Sequence, residues 1–228
     1  NKMSNLVIVL GKSGTGKSTS VKSLNPKETV IFNTLGKRLP FKGSNAVYNE
    51  ANKNLFKIHD YTSILAYLDS IDKKAPHVKN VVIDDATYVM RMEFFDRSKE
   101  RGFDKYNELA DHFRSIIQKC NSLRDDLNIF MMLHTDTEES DGSIVSYKAA
   151  SVGKLLDKMF NPLENVTITL FSQPKYDDKG KPTFGFYTHN LRDSGIEIPA
   201  KTPEGMFEDD FIPNDLQIVV DKMNEFYN

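Results

Sequence analysis

Leu6-Val-Ile-Val-Leu10-Gly11-Lys-Ser-Gly14-Thr-Gly16-Lys17-Ser18 decides the fold. Its first five residues are all apolar and do not alternate with polar ones, the pattern of a strand covered on both faces, as in parallel sheets. From Gly11 the chain matches G-x-x-x-x-G-K-[ST] without a gap. Glycines at 11, 14 and 16 let successive backbone N–H groups turn inward around phosphate oxygens, and a helix opening near Gly16 adds the partial positive charge of its N-terminus. Gly11, Lys12, Ser13, Gly14, Thr15 and Gly16, with Lys17, Ser18 and Thr19 at the helix start, form the expected phosphate cradle. Lys17 is placed to bridge β- and γ-phosphates, and the Ser18 hydroxyl to complete the coordination of Mg²⁺. A dinucleotide fingerprint is disfavoured, because Lys17-Ser18-Thr19 stands where the third glycine would fall. The stretch therefore predicts a nucleoside-triphosphate site, with ATP and Mg²⁺ as ligands.

Such a loop requires a carboxylate at the end of a second buried strand. Val81-Val-Ile-Asp84-Asp85 supplies it, three apolar residues followed by two acids at the carboxyl edge where such sheets bind ligands. Asp84 is the expected magnesium partner, directly or through water. Asp85 either polarises the attacking water or caps the helix that follows. A later strand, residues 128–133, ends in His134-Thr135-Asp136, and His134 or Thr135 would sense the γ-phosphate if this strand lies between the acidic strand and the phosphate-loop strand. Lys148, Lys154 and Arg192 are candidates for a charge-stabilising finger that reaches a neighbouring subunit's phosphate, or else solvated charges. Phe94-Phe-Asp-Arg-Ser98 has the acid-Arg-Ser order of deoxynucleoside kinases, but falls in a helical pattern and is set aside.

Outward from these motifs, strands are expected at 29–32 and 166–172, and helices around Ile64, Leu65, Leu68 and Ile71, and at 152–160, stopped by Asn161-Pro162. Residues 87–124 read as two helical pieces broken near Gly102, with Leu109, Phe113, Ile116, Ile117, Cys120 and Leu123 on one stripe. Asp141-Gly142 reads as a turn, residues 177–180 as a hairpin turn leading to a strand at 183–188, and the last helix starts near Asp215 with Leu216, Val219, Val220, Met223 and Phe226 on one face. The expected fold is α/β, a mostly parallel RecA-like P-loop sheet with helices on both faces, extended by a C-terminal β-hairpin and a terminal helix. One domain is expected, with a core at 3–196 and an acidic extension at 197–228; Asn1 and Lys2, ahead of Met3, are set aside.

The 228 residues are 39% hydrophobic and 27% charged, enough for a sizeable core, and carry a net charge of -2. That balance excludes nucleic-acid binding by bulk charge. The charge is uneven: from Glu197 onward eight acids face two bases, leaving a body of +4 and an end of -6. The longest apolar runs fall far short of the roughly 20 residues a membrane span needs. A lone cysteine, Cys120, and no apolar leader ahead of the first strand point to the cytoplasm.

The phosphate loop, Ile31-Phe-Asn-Thr-Leu-Gly-Lys37 running on to Leu39-Pro40-Phe41, Val82-Ile-Asp84-Asp85, Leu133-His-Thr-Asp136 and Ala200-Lys-Thr-Pro-Glu-Gly-Met-Phe207 together resemble the phage and prophage RecA-like, AAA-type P-loop ATPases associated with single-strand annealing recombination. The resemblance spans nearly the whole chain. It implies ATP hydrolysis linked to single-stranded DNA and a homo-oligomeric ring or filament, with a single-strand-binding protein of phage or host as a candidate partner; the catalytic residues expected from the motifs themselves are Lys17, Asp85 and His134. A nucleotide or nucleoside kinase and a nucleotide-gated binding module with little turnover remain as alternatives; the seven scattered arginines disfavour a kinase lid.

Overall fold

A computed structural model describes residues 2–228, with Lys154 and Leu155 described by their backbone alone. In chain order the elements are β1 (Asn5–Gly11), a 3₁₀ helix (Ser18–Ser23), β2 (Thr29–Asn33), α1 (Ser44–Val47), β3 (Leu55–Phe56), α2 (Tyr61–Lys74), β4 (Asn80–Asp84), α3 (Thr87–Asp96), α4 (Asp104–Asn121) and β5 (Asn128–Ser140). Then follow β6 (Ser143–Ala149), α5 (Lys154–Met159), a 3₁₀ turn (Pro162–Asn165), β7 (Ile168–Ser172), β8 (Lys175–Tyr176), β9 (Pro182–Thr183), β10 (Gly185–Tyr187), β11 (Leu191–Asp193), β12 (Ile196–Ile198), β13 (Phe211–Pro213) and α6 (Leu216–Tyr227).

The central sheet runs β3-β2-β4-β5-β1-β7-β10-β13. Its first six strands are parallel, and β10 and β13 extend it by antiparallel pairing. β5 follows β4 in the chain but inserts between β4 and β1, which sets Gly11 opposite His134. Alternation along each strand then divides the core into two faces. Leu6, Ile8, Leu10, Val81, Ile83, Ile129 and Met131 meet α2, α3 and the apolar stripe of α4. Val7, Val9, Ile31, Val82, Phe130, Met132, Ile168 and Leu170 meet Val21 of the first 3₁₀ helix, Leu24 just after it and the inner face of α6. Four buried side chains of α6, Leu216, Val219, Val220 and Met223, contribute roughly 6–12 kcal/mol of gross burial, which holds the acidic end of the chain onto the sheet.

Several elements depart from the sequence pattern. The phosphate-loop helix starts at Ser18 rather than near Gly16, because Gly16 sits at φ +99°, outside helical space. β5 does not end at Leu133 but continues to Ser140, held by antiparallel pairing with β6 across the Asp141-Gly142 turn, both residues at positive φ. α5 covers only 154–159 of the expected 152–160. The 177–180 turn closes the small separate hairpin β8–β9, while β10 returns to the main sheet. Phe226, at the last turn of α6, is 40% exposed rather than buried with Leu216, Val219, Val220 and Met223.

That amino edge is tied by a ladder of side-chain amides. Asn5 Nδ2 donates to Asn128 Oδ1 at 3.0 Å, Asn128 Nδ2 to Asn80 Oδ1 at 3.1 Å, and Asn80 Nδ2 to Thr29 Oγ1 at 3.4 Å. These buried polar groups satisfy one another only when β1, β5, β4 and β2 are in register.

Candidate active site

The site lies at the carboxyl ends of β1, β2, β4 and β5, the edge at which open parallel sheets bind ligands. β1 delivers the chain into the loop at Gly11, which packs so closely on β7 that an added Cβ would meet Ser172 O at 2.6 Å. Gly14 turns the loop at φ +80°. Thr15 Oγ1 closes it by donating to Lys12 O at 2.9 Å, Ser172 Oγ donates to Thr15 O at 3.1 Å, and Asn214 Nδ2 donates to Gly16 O at 2.8 Å. One bond within the loop and two distant residues, Ser172 of β7 and Asn214, therefore hold it in shape.

The Lys17 ammonium folds back into this loop, donating to Gly11 O at 2.8 Å and Lys12 O at 2.7 Å. Burial lowers its pKa to about 8, against the opposing pull of Asp85 and Asp84. Ser18 Oγ donates to Asp84 Oδ1 at 2.8 Å, joining the helix start to the last residue of β4. Burial, and then the neighbouring Asp85, push the Asp84 carboxyl up from its ordinary value. An added positive ion would relieve that penalty. Hydroxyl and carboxylate oxygens are the hard donors that Mg²⁺ takes, with its remaining ligands from phosphates and water, so the pair fits that ion.

Asp85 occupies a left-handed backbone conformation at φ +52°, one that few residues other than glycine, asparagine and aspartate adopt readily. Its carboxylate does not cap α3, whose cap position is Ala86. Instead Oδ1 lies 2.9 Å from His134 Nε2 and Oδ2 lies 2.8 Å from Lys37 Nζ. A carboxylate oxygen can only accept, so His134 Nε2 carries the hydrogen. Lys37 approaches off the hydrogen-bonding direction, and its contact is an ion pair set by distance. Burial alone would raise the Asp85 pKa, but His134 and Lys37 more than offset it and hold the carboxyl below its ordinary value. His134 is itself fixed: its backbone N–H donates to Thr87 Oγ1 at 2.9 Å, and its ring stands edge-on to Tyr88 at 5.6 Å. Thr135 Oγ1 is buried, with no hydrogen-bond partner among the described residues.

A cavity of about 550 Å³ opens over these groups. Ser13, Gly14, Gly16, Lys17, Ser18, Thr19, Asp84, Asp85 and His134 line it, joined by Lys37, Arg38, Pro40, Phe184 and Asn214. Gly11 and Thr15 are buried rather than in its wall, and Lys12 turns away with Nζ 5.7 Å from the Tyr147 ring. A larger hollow of about 970 Å³ lies at the opposite, amino end of the strands, far from the phosphate loop and both site carboxylates.

Two of the three finger candidates, Lys148 and Arg192, are not among the residues that line the cavity. Lys148 is paired with Asp157 at 2.8 Å, Arg192 is exposed and opposite Glu197 across β11–β12, and the Lys154 side chain lies outside the described residues. Arg97 of the kinase-like stretch is held by Glu93, Glu100 and Glu108, at 3.2, 2.7 and 2.6 Å. Sequence reasoning assigned no site role to Lys37, Arg38, Pro40, Phe184 or Asn214. For Lys37 to Pro40 a signal existed, since they follow a parallel strand on the binding edge; Phe184 and Asn214 carry none.

An AAA domain profile matches residues 3–190, which takes in the phosphate loop, the Asp84-Asp85 strand and His134. No curated protein matches the chain. With the profile covering most of its length and the sheet order and site geometry in agreement, the chain belongs to the AAA domain family of P-loop nucleotide-binding proteins, whose members are generally ATPases.

Proposed function

We propose that this protein binds ATP with Mg²⁺ in the 550 Å³ cavity and hydrolyses it, and that hydrolysis serves work on single-stranded DNA in phage recombination or replication. The observation that carries the ATPase reading is the 2.8 Å contact between Ser18 and Asp84 beneath the loop, with Asp85 and His134 joined beside it. In this reading Gly11 to Thr19 cradle the phosphates with backbone N–H groups, and Lys17 exchanges the carbonyls of Gly11 and Lys12 for β- and γ-phosphate oxygens. Ser18 and Asp84 hold the Mg²⁺, which when bound neutralises phosphate charge. Asp85 orients the attacking water, and His134, fixed on β5, reports the terminal phosphate to that carboxylate.

The DNA part rests on the resemblance of the motifs and on the +4 body, which confines any contact to 3–196 and makes it salt-sensitive. In this reading the core at 3–196 carries the site, and the acidic 197–228 extension docks on it through α6. Subunits assemble as a ring or filament in the cytoplasm of the host, where a single-strand-binding protein would be met.

Turnover of Mg-ATP with and without single-stranded DNA tests the reading. Lys17→Ala should abolish tight nucleotide binding, and wild-type affinity in that variant would refute the loop assignment. Asp85→Asn should keep binding and lower hydrolysis by roughly 10²-fold or more, while an unchanged rate would remove Asp85 from the reaction. If DNA neither stimulates turnover nor enlarges the particle in the presence of ATP, and a nucleoside is phosphorylated instead, the DNA reading is lost to the kinase one.

A further inference from the structure

Two cations of the cavity wall, Lys37 and Arg38, lie outside the phosphate-loop motif, and of these Lys37 pairs with a site carboxylate. Its backbone is pinned: Asn33 Nδ2, at the end of β2, donates to Lys37 O at 2.7 Å, and Asn33 Oδ1 accepts from Gly36 N–H at 3.0 Å. Gly36 makes the turn at φ +68°, and the Lys57 side chain fills the space its own would need, 2.7 Å from an added Cβ to Lys57 Cε. The Lys37 side chain, by contrast, is 59% exposed and reaches the site on a flexible four-carbon stem. A fixed base with a free arm suits a charge that changes partner.

Its present partner is Asp85, the carboxylate placed to orient water, and both oxygens of that carboxylate are engaged. His134 holds one from a rigid strand, and Lys37 holds the other from a mobile stem. A partly exposed, off-axis ion pair is weak and yields readily to a stronger anion. The terminal phosphate of a bound triphosphate would supply that anion beside Ser18 and Asp84, immediately next to Asp85.

We infer that Lys37 is a built-in cation for the terminal phosphate: it pairs with Asp85 and, when a nucleoside triphosphate binds, transfers to a γ-phosphate oxygen and frees one Asp85 oxygen for the attacking water. This rests on the ATPase reading above. In the step it serves, the water oxygen bonds to Pγ while the bond from Pγ to the β–γ bridging oxygen breaks, and that electron pair leaves with ADP. The proton of the water passes to Asp85 and then to the phosphate product. Lys37 stays protonated and transfers no proton in this exchange; it offsets charge on the γ-oxygens, as a finger supplied in cis does.

The test compares the wild-type chain with Lys37→Met and Lys37→Arg. Binding of ADP and of a non-hydrolysable ATP analogue is measured by titration calorimetry with Mg²⁺ present, and kcat and KM for ATP by phosphate release. In Lys37→Met the ADP affinity should stay within about twofold, the preference for the analogue over ADP should fall by about tenfold or more, and kcat should fall roughly 10²-fold. Lys37→Arg, which keeps the charge, should recover at least about a tenth of the wild-type rate. An unchanged preference for the analogue, an equal loss of both nucleotides, or a wild-type kcat in Lys37→Met would each overturn the inference. Failure of the wild type itself to bind or turn over ATP would instead overturn the ATPase reading, so the two failures are distinct. If the wild type binds without turnover, the affinity ratio alone decides.

Discussion

Gly11→Ala puts the fit between the phosphate loop and the sheet to a quantitative trial. The added Cβ would lie 2.6 Å from Ser172 O, 2.9 Å from Thr15 Oγ1 and 3.0 Å from Ser172 Cβ, against an ordinary contact that begins at 3.4 Å. The first of these atoms is backbone, so β7 would have to withdraw by about 0.8 Å to reach normal contact. It cannot do so freely, because β10 pairs with Ser172 from the other side through Phe186 and is itself paired with β13. Overpacking of this kind costs roughly 1–3 kcal/mol. For a domain of this size 2 kcal/mol lowers Tm by roughly 4–8 °C. The substitution should also loosen the loop, since Thr15 O is held by Ser172 Oγ and the Thr15 hydroxyl by Lys12 O. Thermal unfolding followed by circular dichroism, nucleotide titration and amide chemical shifts of β7 and β10 give three readouts. Gly14→Ala is the matched control: at φ +80° with nothing within 4 Å, it carries backbone strain but no clash, so it should leave the β7 resonances in place. A Gly11→Ala protein that melts within about 1 °C of wild type, with β7 shifts unmoved, would refute the close approach and the role given to it.

Asn128→Leu should destabilise the fold by roughly 2–4 kcal/mol in urea titrations, because it strands both Asn5 Nδ2 and Asn80 Oδ1 at the amino edge; a neutral result would show that the amide ladder is not formed. Burial pushes the Cys120 thiol up to about 12, so a disulfide reagent at pH 8 should label it only after denaturation, and rapid labelling of the native protein would show that the α4 stripe is open. Lys17→Met should raise the stability of the nucleotide-free protein at pH 7 by roughly 1–3 kcal/mol, because the native state holds this amine at a pKa of about 8 whereas the unfolded chain restores 10.5. The sign follows from proton counts: between those two values the unfolded state binds more protons. The wild type should therefore gain on Lys17→Met as pH rises through that window, and a constant difference from pH 7 to 10 would contradict the buried charge.

Much of the fold and part of the site were legible because their causes are local. The apolar run of β1, the glycine spacing of the loop and the acids at the end of β4 each depend on a few consecutive residues whose sterics and burial act in place. The α4 stripe was legible for the same reason: its residues recur at helical spacing, and Leu109, Phe113, Ile116, Ile117 and Cys120 are all buried. The second half of β5 was not, since Asp136, Glu138, Glu139 and Ser140 are exposed and carry no apolar period; cross-strand bonds to β6 are what extend it. Phe226 shows the reach of a local rule, since helical phase aligns it with Leu216, Val219 and Met223, yet it is 40% exposed while they are buried.

By itself, then, the sequence determined a buried strand, a phosphate loop and an acidic strand end, which suffice for a P-loop nucleotide site. Which distant groups complete it follows from the order of the strands in the sheet and the turns between them. Insertion of β5 between β1 and β4 brings His134 to Asp85, the turn after β2 brings Lys37 to the other oxygen of that carboxylate, and Asn214 arrives at Gly16 from the far end of the chain. The physical reason is range. Backbone conformation and periodicity are set by neighbours in sequence, whereas the ion pairs and hydrogen bonds that tune Asp85 form between residues whose only relation is the order in which their strands lie in the sheet.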